Sequence, residues 1–371
     1  MQIHVQPVAS RREMNQFIKW PMLLYRGDPC FVPPLIVERK EFFGPHNPIF
    51  KFTDVAYFLA KDEQDRIVGR VTAHINHRHN DFSSERAGFF GFFECVEDVS
   101  VAAALMSAAE TWLCERDMAV IRGPFNFSTN EECGFLAEGF DSLPALMMPY
   151  TRRYYLDFME SLGYHRAKDL LAYNYESIGR VPDYLVRFAE RAREKTQVMV
   201  RPLDMRHFDE EVERIFEVYN HAWEKNWGFI PMTAEEFRFT AKSLRQIVDP
   251  DIAVIAEKEG RAVGFALGLP DYNSLLKKMN GRLFPLGLIR FLLGRRSIRR
   301  VRIVTLGVIE EYRHSGVETL LIYHTFKNGL PKGYDSCEMS WVLEDNTQAR
   351  RMFERVGAKP YKTYRIFEKP L

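Results

Sequence analysis

Residues 303–327 read IVTLGVIEEYRHSGVETLLIYHTFK, and three local chemistries follow one another in them. The β-branched run Ile303, Val304, Thr305, ending at Leu306, Gly307 and Val308, predicts a buried strand. Leu320, Leu321, His324 and Phe326 recur on one side of a helical period and predict an amphipathic helix. Between them stands the polar turn Arg313-His314-Ser315-Gly316-Val317-Glu318-Thr319. Gly316 admits a backbone conformation that turns successive N–H groups toward one point. The unpaired N–H groups of the helix start add to them, so the turn is a candidate anion cradle that a pyrophosphate would fit.

A second block lies downstream. Ser336–Trp341 alternates as a short strand, Asn346 or Thr347 is a helix N-cap, Gly357 a helix stop, and 359–367 an aromatic-rich strand. The two blocks together resemble the GNAT acyltransferase superfamily. Arg313-x-x-Gly316, after a strand ending near Val308, is similar to its cofactor motif. Asn346-x-x-Ala349-x-x-x-Phe353-x-x-x-Gly357-Ala358 is similar to the segment that follows it in that family. Two positions depart: Glu318 replaces a small residue, and Phe353 stands where the family often has the Tyr that protonates the leaving thiolate.

The resemblance implies an α/β (α+β) fold with a mixed, mostly antiparallel twisted sheet flanked by helices. It implies coenzyme A as acyl donor, without a metal, held by Leu306, Gly307, Val308, Arg313, His314, Ser315, Gly316, Val317, Glu318, Thr319 and Asn346. A primary amine would be the acceptor, with Glu344, Asp345, Glu131 and Glu132 as candidate bases.

The chain has 371 residues, which predicts two domains. A hydrophobic content of 46% supports folded cores, and a mean hydropathy of −0.28 argues against a membrane protein. Net charge is +1, so no global attraction to nucleic acid is expected. The scattered Cys30, Cys95, Cys114, Cys133 and Cys337 have no metal-ligand spacing and read as reduced thiols. The opening residues lack the apolar core of a signal peptide, and no apolar run approaches the roughly 20 residues of a membrane span. A cytoplasmic protein is expected, with contact to the inner face of the membrane left open.

Laid side by side, the halves repeat. Residues 55–76 and 252–270 both read as hairpins; 91–96 then 102–116 matches 303–308 then 316–327; 155–176 matches 349–368. Two tandem GNAT-like domains explain this order: 1–176 degenerate, 177–195 a linker helix, and 196–371 carrying the acyl-coenzyme A site. Where the first half would have its cradle it has Asp98-Val99-Ser100-Val101-Ala102-Ala103, with no Gly. Asp98 reads as a helix cap, and this half is expected to bind no cofactor.

Three stretches bear on the acceptor. In 123–141, Asn126, Ser128, Asn130, Glu131 and Glu132 alternate with Phe125, Phe127, Phe135 and Phe140, which fits either an Ω-loop packed for stability or a binding loop. In 219–232, Trp223, Trp227 and Phe229 with Asn220 and Asn226 read as core or as the lip of an acceptor site, to which Trp341 would add. Residues 275–302 hold nine Lys or Arg and no acid among Leu, Ile and Phe. That composition suits a membrane surface or lipid tunnel, a buried helix with a basic rim, or a dock for coenzyme A phosphates; no nucleic-acid reading motif accompanies it.

Over its full length the chain is similar to two-domain bacterial GNAT-like proteins, including ceramide synthase-like acyltransferases that attach fatty acids to sphingoid bases. The resemblance implies an N-acyltransferase for a lipid amine. The alternative is a non-catalytic protein of the same fold that senses acyl-coenzyme A or acts as a scaffold.

Overall fold

The alternating stretches fold into antiparallel hairpins because their period of two buries one face of each strand. The computed structural model describes residues 2–176, 179–224 and 226–371. The chain divides into two units: Met1–Leu170 with Asn273–Leu293 and Lys362–Leu371, and Leu171–Tyr272 with Gly294–Tyr361. Ser177 and Ile178, where the expected linker begins, lie outside the described residues.

In the first unit β1 (His4–Pro7), β2 (Thr53–Lys61), β3 (Ile67–Asn76) and β4 (Ala87–Cys95) run antiparallel, and β5 (Val120–Gly123) joins β4 in parallel. The helices are α1 (Arg11–Leu24), α2 (Ile36–Phe42), α3 (His77–Ser83), α4 (Val99–Cys114) and α5 (Tyr154–Ser161). Val71, Ala73, Ile75, Phe90 and Phe93 meet Leu105, Met106 and Ala109 of α4 in one core. Asp98 caps α4, its carboxylate accepting from the Ser100 N–H at 2.8 Å. Two further strands follow, β6 (Phe135–Glu138) and β7 (His165–Glu176), the latter passing into the second unit after Leu170.

The second unit repeats the plan. Its chain runs α6 (Asp183–Thr196), β8 (Met199–Pro202), α7 (Phe208–Trp223), α8 (Ala234–Leu244), β9 (Ala253–Lys258) and β10 (Arg261–Pro270). Two short helices, α9 (Asn273–Met279) and α10 (Leu286–Gly294), belong to the first unit as far as Leu293. Back in the second come β11 (Arg300–Val308), α11 (Val317–Gly329), β12 (Ser336–Leu343) and α12 (Thr347–Arg355). The last strand, β13 (Lys359–Pro370), enters the first unit at Lys362 and pairs antiparallel with β5 from Phe367 to Pro370.

Strands β8 to β11 are antiparallel neighbours, and β12 lies parallel to β11. Ala189 and Ala192 of α6, with Leu320 and Leu321 of α11, share a core with Val254, Ile255 and Phe265. The fold is α+β, with a mixed, mostly antiparallel sheet. Residues 275–302 do not form one amphipathic helix: Gly281 and Pro285 fall between α9 and α10, and from Arg300 the segment is already strand.

Candidate functional site

The site begins where two parallel strands part. β11 pairs with β12 only from Arg300↔Ser336 to Ile303↔Met339, although β11 runs on to Val308 and β12 to Leu343. At that point β11 holds one residue more than β10: Leu267 faces Thr305, Gly268 faces Ile303, and Val304 between them has no partner. Such a bulge bends and twists its strand, so β11 turns from β12 and opens a fork. Beyond Ile303 no described strand pairs with this edge of β11. Backbone donors and acceptors of a half-buried stretch, Val304 to Leu306, are therefore offered to a ligand.

The bulge also sorts the side chains of β11. Ile303 packs with Ile322 and Phe326 of α11, and Val308 with Leu320 and Leu321. Gly307 looks to the C-terminal end of α7: a Cβ there would stand 2.2 Å from the Trp223 ring and 2.9 Å from Ala222. Glycine is what lets Trp223 lie on the strand. Arg313 fastens the same contact, donating to the carbonyls of Ala222 at 2.8 Å, His221 at 3.3 Å and Val308 at 3.4 Å. A guanidinium at a helix C-terminus meets the negative end of its dipole.

The turn above the fork has the backbone that the sequence predicts. His314 has φ +61° and Gly316 φ +100°, and α11 starts at Val317 without a side-chain cap. The Val317, Glu318 and Thr319 amides lack helical partners, as at any helix start. The cradle fits an anionic group on the evidence of these uncapped amides. Gly316 is constrained a second time, because a Cβ there would come 2.7 Å from Cβ of Ala192 on α6. Ser315 closes the turn with its hydroxyl donating to the Tyr312 carbonyl at 2.5 Å. On α11 itself, burial with Lys327 and Arg193 nearby pulls His324 down to about 4, so it is neutral near pH 7.

Across the fork, Trp341 is half-buried on β12 past the last parallel pair. Asn346 caps α12, its side-chain oxygen accepting from the Ala349 N–H at 3.0 Å. Glu344 is half-buried and Asp345 exposed at the start of that helix, and Arg350 donates to the Glu344 carbonyl at 2.7 Å. Phe353 is buried against Tyr173, ring centroids 5.6 Å apart.

Sequence reasoning missed a charged network at the crotch of the fork. Arg302 (3% exposed) donates through Nε to Ser340 Oγ at 2.9 Å, and Ser340 donates to Glu338 (0% exposed) at 2.5 Å. Glu338 also accepts from Tyr361 and, at 3.2 Å, from Arg300, which reaches Asn174 at 3.1 Å. Burial and the Glu338 carboxylate push the Tyr361 phenol well above its ordinary range. The available signal was the charge at alternate positions, Arg300-x-Arg302 and Glu338-x-Ser340, in strands that otherwise read as buried.

The remaining predicted site residues fall into two groups. Asn220 clamps the loop after α7, its amide bonding both backbone groups of Met232 at 3.1 Å. Asn226 and Trp227 are half-buried in that loop, and Phe229 packs on Tyr219 with centroids 5.9 Å apart. Asn126, Glu131 and Glu132 belong to the first unit. There Asn126 accepts from the Phe92 N–H at 2.9 Å and donates to Glu132 at 3.0 Å, and Glu132 pairs with Arg39 at 3.1 Å. Phe127 stacks on Phe42 at 5.5 Å. The loop thus fills the gap past the short β4–β5 pairing, with the Phe125 carbonyl against Gly91.

Comparison with known proteins supplies the class to which this fold and fork belong. A model of the Acetyltransferase (GNAT) family matches residues 212–358. The chain belongs to this family of N-acyltransferase enzymes, which use acyl-coenzyme A as donor. It is 36% identical over 377 residues to the bacterial ceramide synthase of Caulobacter vibrioides (strain NA1000 / CB15N), covering 100% of this chain and 98% of that protein. It is also 36% identical over 374 residues to Protein YghO of Escherichia coli (strain K12), covering 99% and 95%. Among solved structures it is similar to a tandem GNAT protein from the clavulanic acid biosynthesis pathway, at TM-score 0.59 and 12% identity, covering 100% of this chain and 98% of that one. That likeness establishes the tandem fold. No described helix is long and apolar enough to cross a membrane.

Proposed function

We propose that the second unit transfers an acyl group from coenzyme A to the amine of a long-chain lipid, of the sphingoid type. The observation that carries the reading is the fork: an open strand edge running from the bulge at Val304 to the cradle at Gly316. The full-length likeness to a ceramide synthase supports the lipid acceptor.

In this reading the amides of Val317 to Thr319 hold the pyrophosphate, the Leu306–Val308 edge aligns the acyl arm, and a strand N–H at the fork stabilises the oxyanion of the tetrahedral intermediate. Amine attack forms the C–N bond, the base takes the proton from the attacking nitrogen, and collapse breaks the C–S bond and releases the coenzyme A thiolate. A primary amine has a reference pKa of about 10.4, so recovering its free base near pH 7 costs about 5 kcal/mol. Glu344 and Asp345 are the proposed bases in this unit. Glu131 and Glu132, the other candidate bases, lie in the first unit, where Glu132 holds Arg39. A thiol with a reference pKa near 8.5 leaves without an acid, so an apolar Phe353 is compatible with turnover. Trp223, Trp227, Phe229 and Trp341 with Asn220 and Asn226 are the proposed acceptor-side surfaces of the second unit. The reading takes the protein to work in the cytoplasm, in contact with the inner face of the membrane.

Calorimetric titration with acetyl- and palmitoyl-coenzyme A, followed by turnover on a long-chain amine, tests this. Preference for palmitoyl-coenzyme A with amide formation is expected. Binding of neither thioester, or acylation of short water-soluble amines alone, would overturn it.

A further inference from the structure

Five of the eleven exposed large apolar side chains among the described residues lie within ten residues of chain: Phe284 (67% exposed), Leu286 (63%), Ile289 (54%), Leu292 (49%) and Leu293 (79%). Helical residues turn by about 100° each, so Leu286, Ile289 and Leu293 share one side of α10, with Leu292 flanking them. Gly287 faces the other way. It is buried, and a Cβ there would stand 2.2 Å from the Arg282 carbonyl oxygen.

The helix stands on a fastened base. Asn273 at the start of α9 donates to the Pro144 carbonyl at 2.8 Å, Lys277 donates to the Pro29 carbonyl, and Ile36 N–H donates to the Gly281 carbonyl at 3.0 Å. Within the hairpin, Arg290 donates to the Lys278 carbonyl at 3.1 Å. The α9–α10 hairpin that carries the apolar face is therefore tied by hydrogen bonds to the rest of the first unit.

Charge names the occupant. No acidic residue occurs between Asp271 and Glu310, and Lys278, Arg282, Arg290, Arg295 and Arg296 are exposed around or directly after α10. Arg300 and Arg302, in the same basic run, are withdrawn into the Glu338 network. An apolar face on a segment whose charged residues are all cations complements a surface that is anionic outside and apolar beneath. A second copy of the same face would set cation against cation.

We propose that α10 is a membrane-docking element: Phe284, Leu286, Ile289, Leu292 and Leu293 enter the acyl boundary of an anionic bilayer while the flanking Lys and Arg meet lipid phosphates. This deepens the lipid-amine reading, because a long-chain amine and its amide product reside in a bilayer. Docking is read without turnover, so a failed acylation assay leaves it standing and a failed docking assay leaves the acyl chemistry standing.

The test is sedimentation with phosphatidylcholine vesicles, with and without phosphatidylglycerol, using the full chain. Binding is expected on the phosphatidylglycerol vesicles and should weaken with added salt. Replacing Leu286, Ile289 and Leu293 together by Gln should weaken it about tenfold or more with an unchanged melting temperature. The pair Lys278→Gln and Arg282→Gln should weaken only the charge-dependent part. No binding, equal binding of the wild type and the triple variant, or a concentration-dependent dimer abolished by the triple variant would overturn the proposal, the last in favour of self-association.

Discussion

Glu318 stands in the first turn of α11, where a negative side chain stabilises the helix dipole and opposes a second anion. Its carboxylate therefore favours the empty cradle over one holding a pyrophosphate. Glu318→Gln should tighten coenzyme A binding several-fold at low ionic strength, with the gain shrinking as salt screens the charge. Unchanged affinity by titration calorimetry would place the pyrophosphate elsewhere. Gly316 is a poor probe of the same question. With φ +100° and Ala192 at its back, any side chain there disturbs the α6–α11 packing whether or not a ligand binds.

At the scale of elements, the fork depends on a network that both strands supply. Arg302 and Glu338 are register partners in the parallel pair, and Ser340 bridges them. Removing the carboxylate leaves two arginine side chains without their buried counter-charge, a loss on the order of 3–5 kcal/mol. Glu338→Gln should lower the melting temperature clearly, and hydrogen exchange should rise in β11 and β12 before it rises in β9. A variant that melts like the wild type would show that the fork is held by packing alone. In the first unit the corresponding gap is filled by the chain itself: Asn126 takes the Phe92 N–H, and Phe127 joins the aromatic cluster.

At the scale of the molecule, the sheet of the first unit is completed from the end of the chain. Phe367 to Pro370 pair with Gly123 to Val120, and Arg365 binds Asp169 through two bonds of 2.9 Å. A fragment ending at residue 176 therefore exposes the edge of β5 and lacks Phe367 from its core. It should fail to unfold cooperatively alone and recover on addition of a peptide spanning 359–371. Cooperative calorimetric melting of the fragment without the peptide would refute this.

Much of this was legible in the sequence because it rests on short-range rules. The period of two wrote the hairpins, Gly316 after a β-branched strand wrote the cradle, Asn346 and Asp98 wrote their caps, and the repeated order of these signals wrote the tandem fold. The fork itself was not legible, since Val304 looks like any strand residue until its pairing with β10 leaves it unmatched. Nor was the sorting of the basic run, in which identical arginines end buried at Arg302 or exposed at Arg296. The backbone bonds of Asn220 and Asn126 were not legible either, because only the folded chain brings Met232 and Phe92 within their reach. Local sequence determined which elements form and where each is capped. Tertiary structure decided which polar groups they use on one another and which remain for a ligand, because hydrogen-bond partners distant in sequence are chosen by packing.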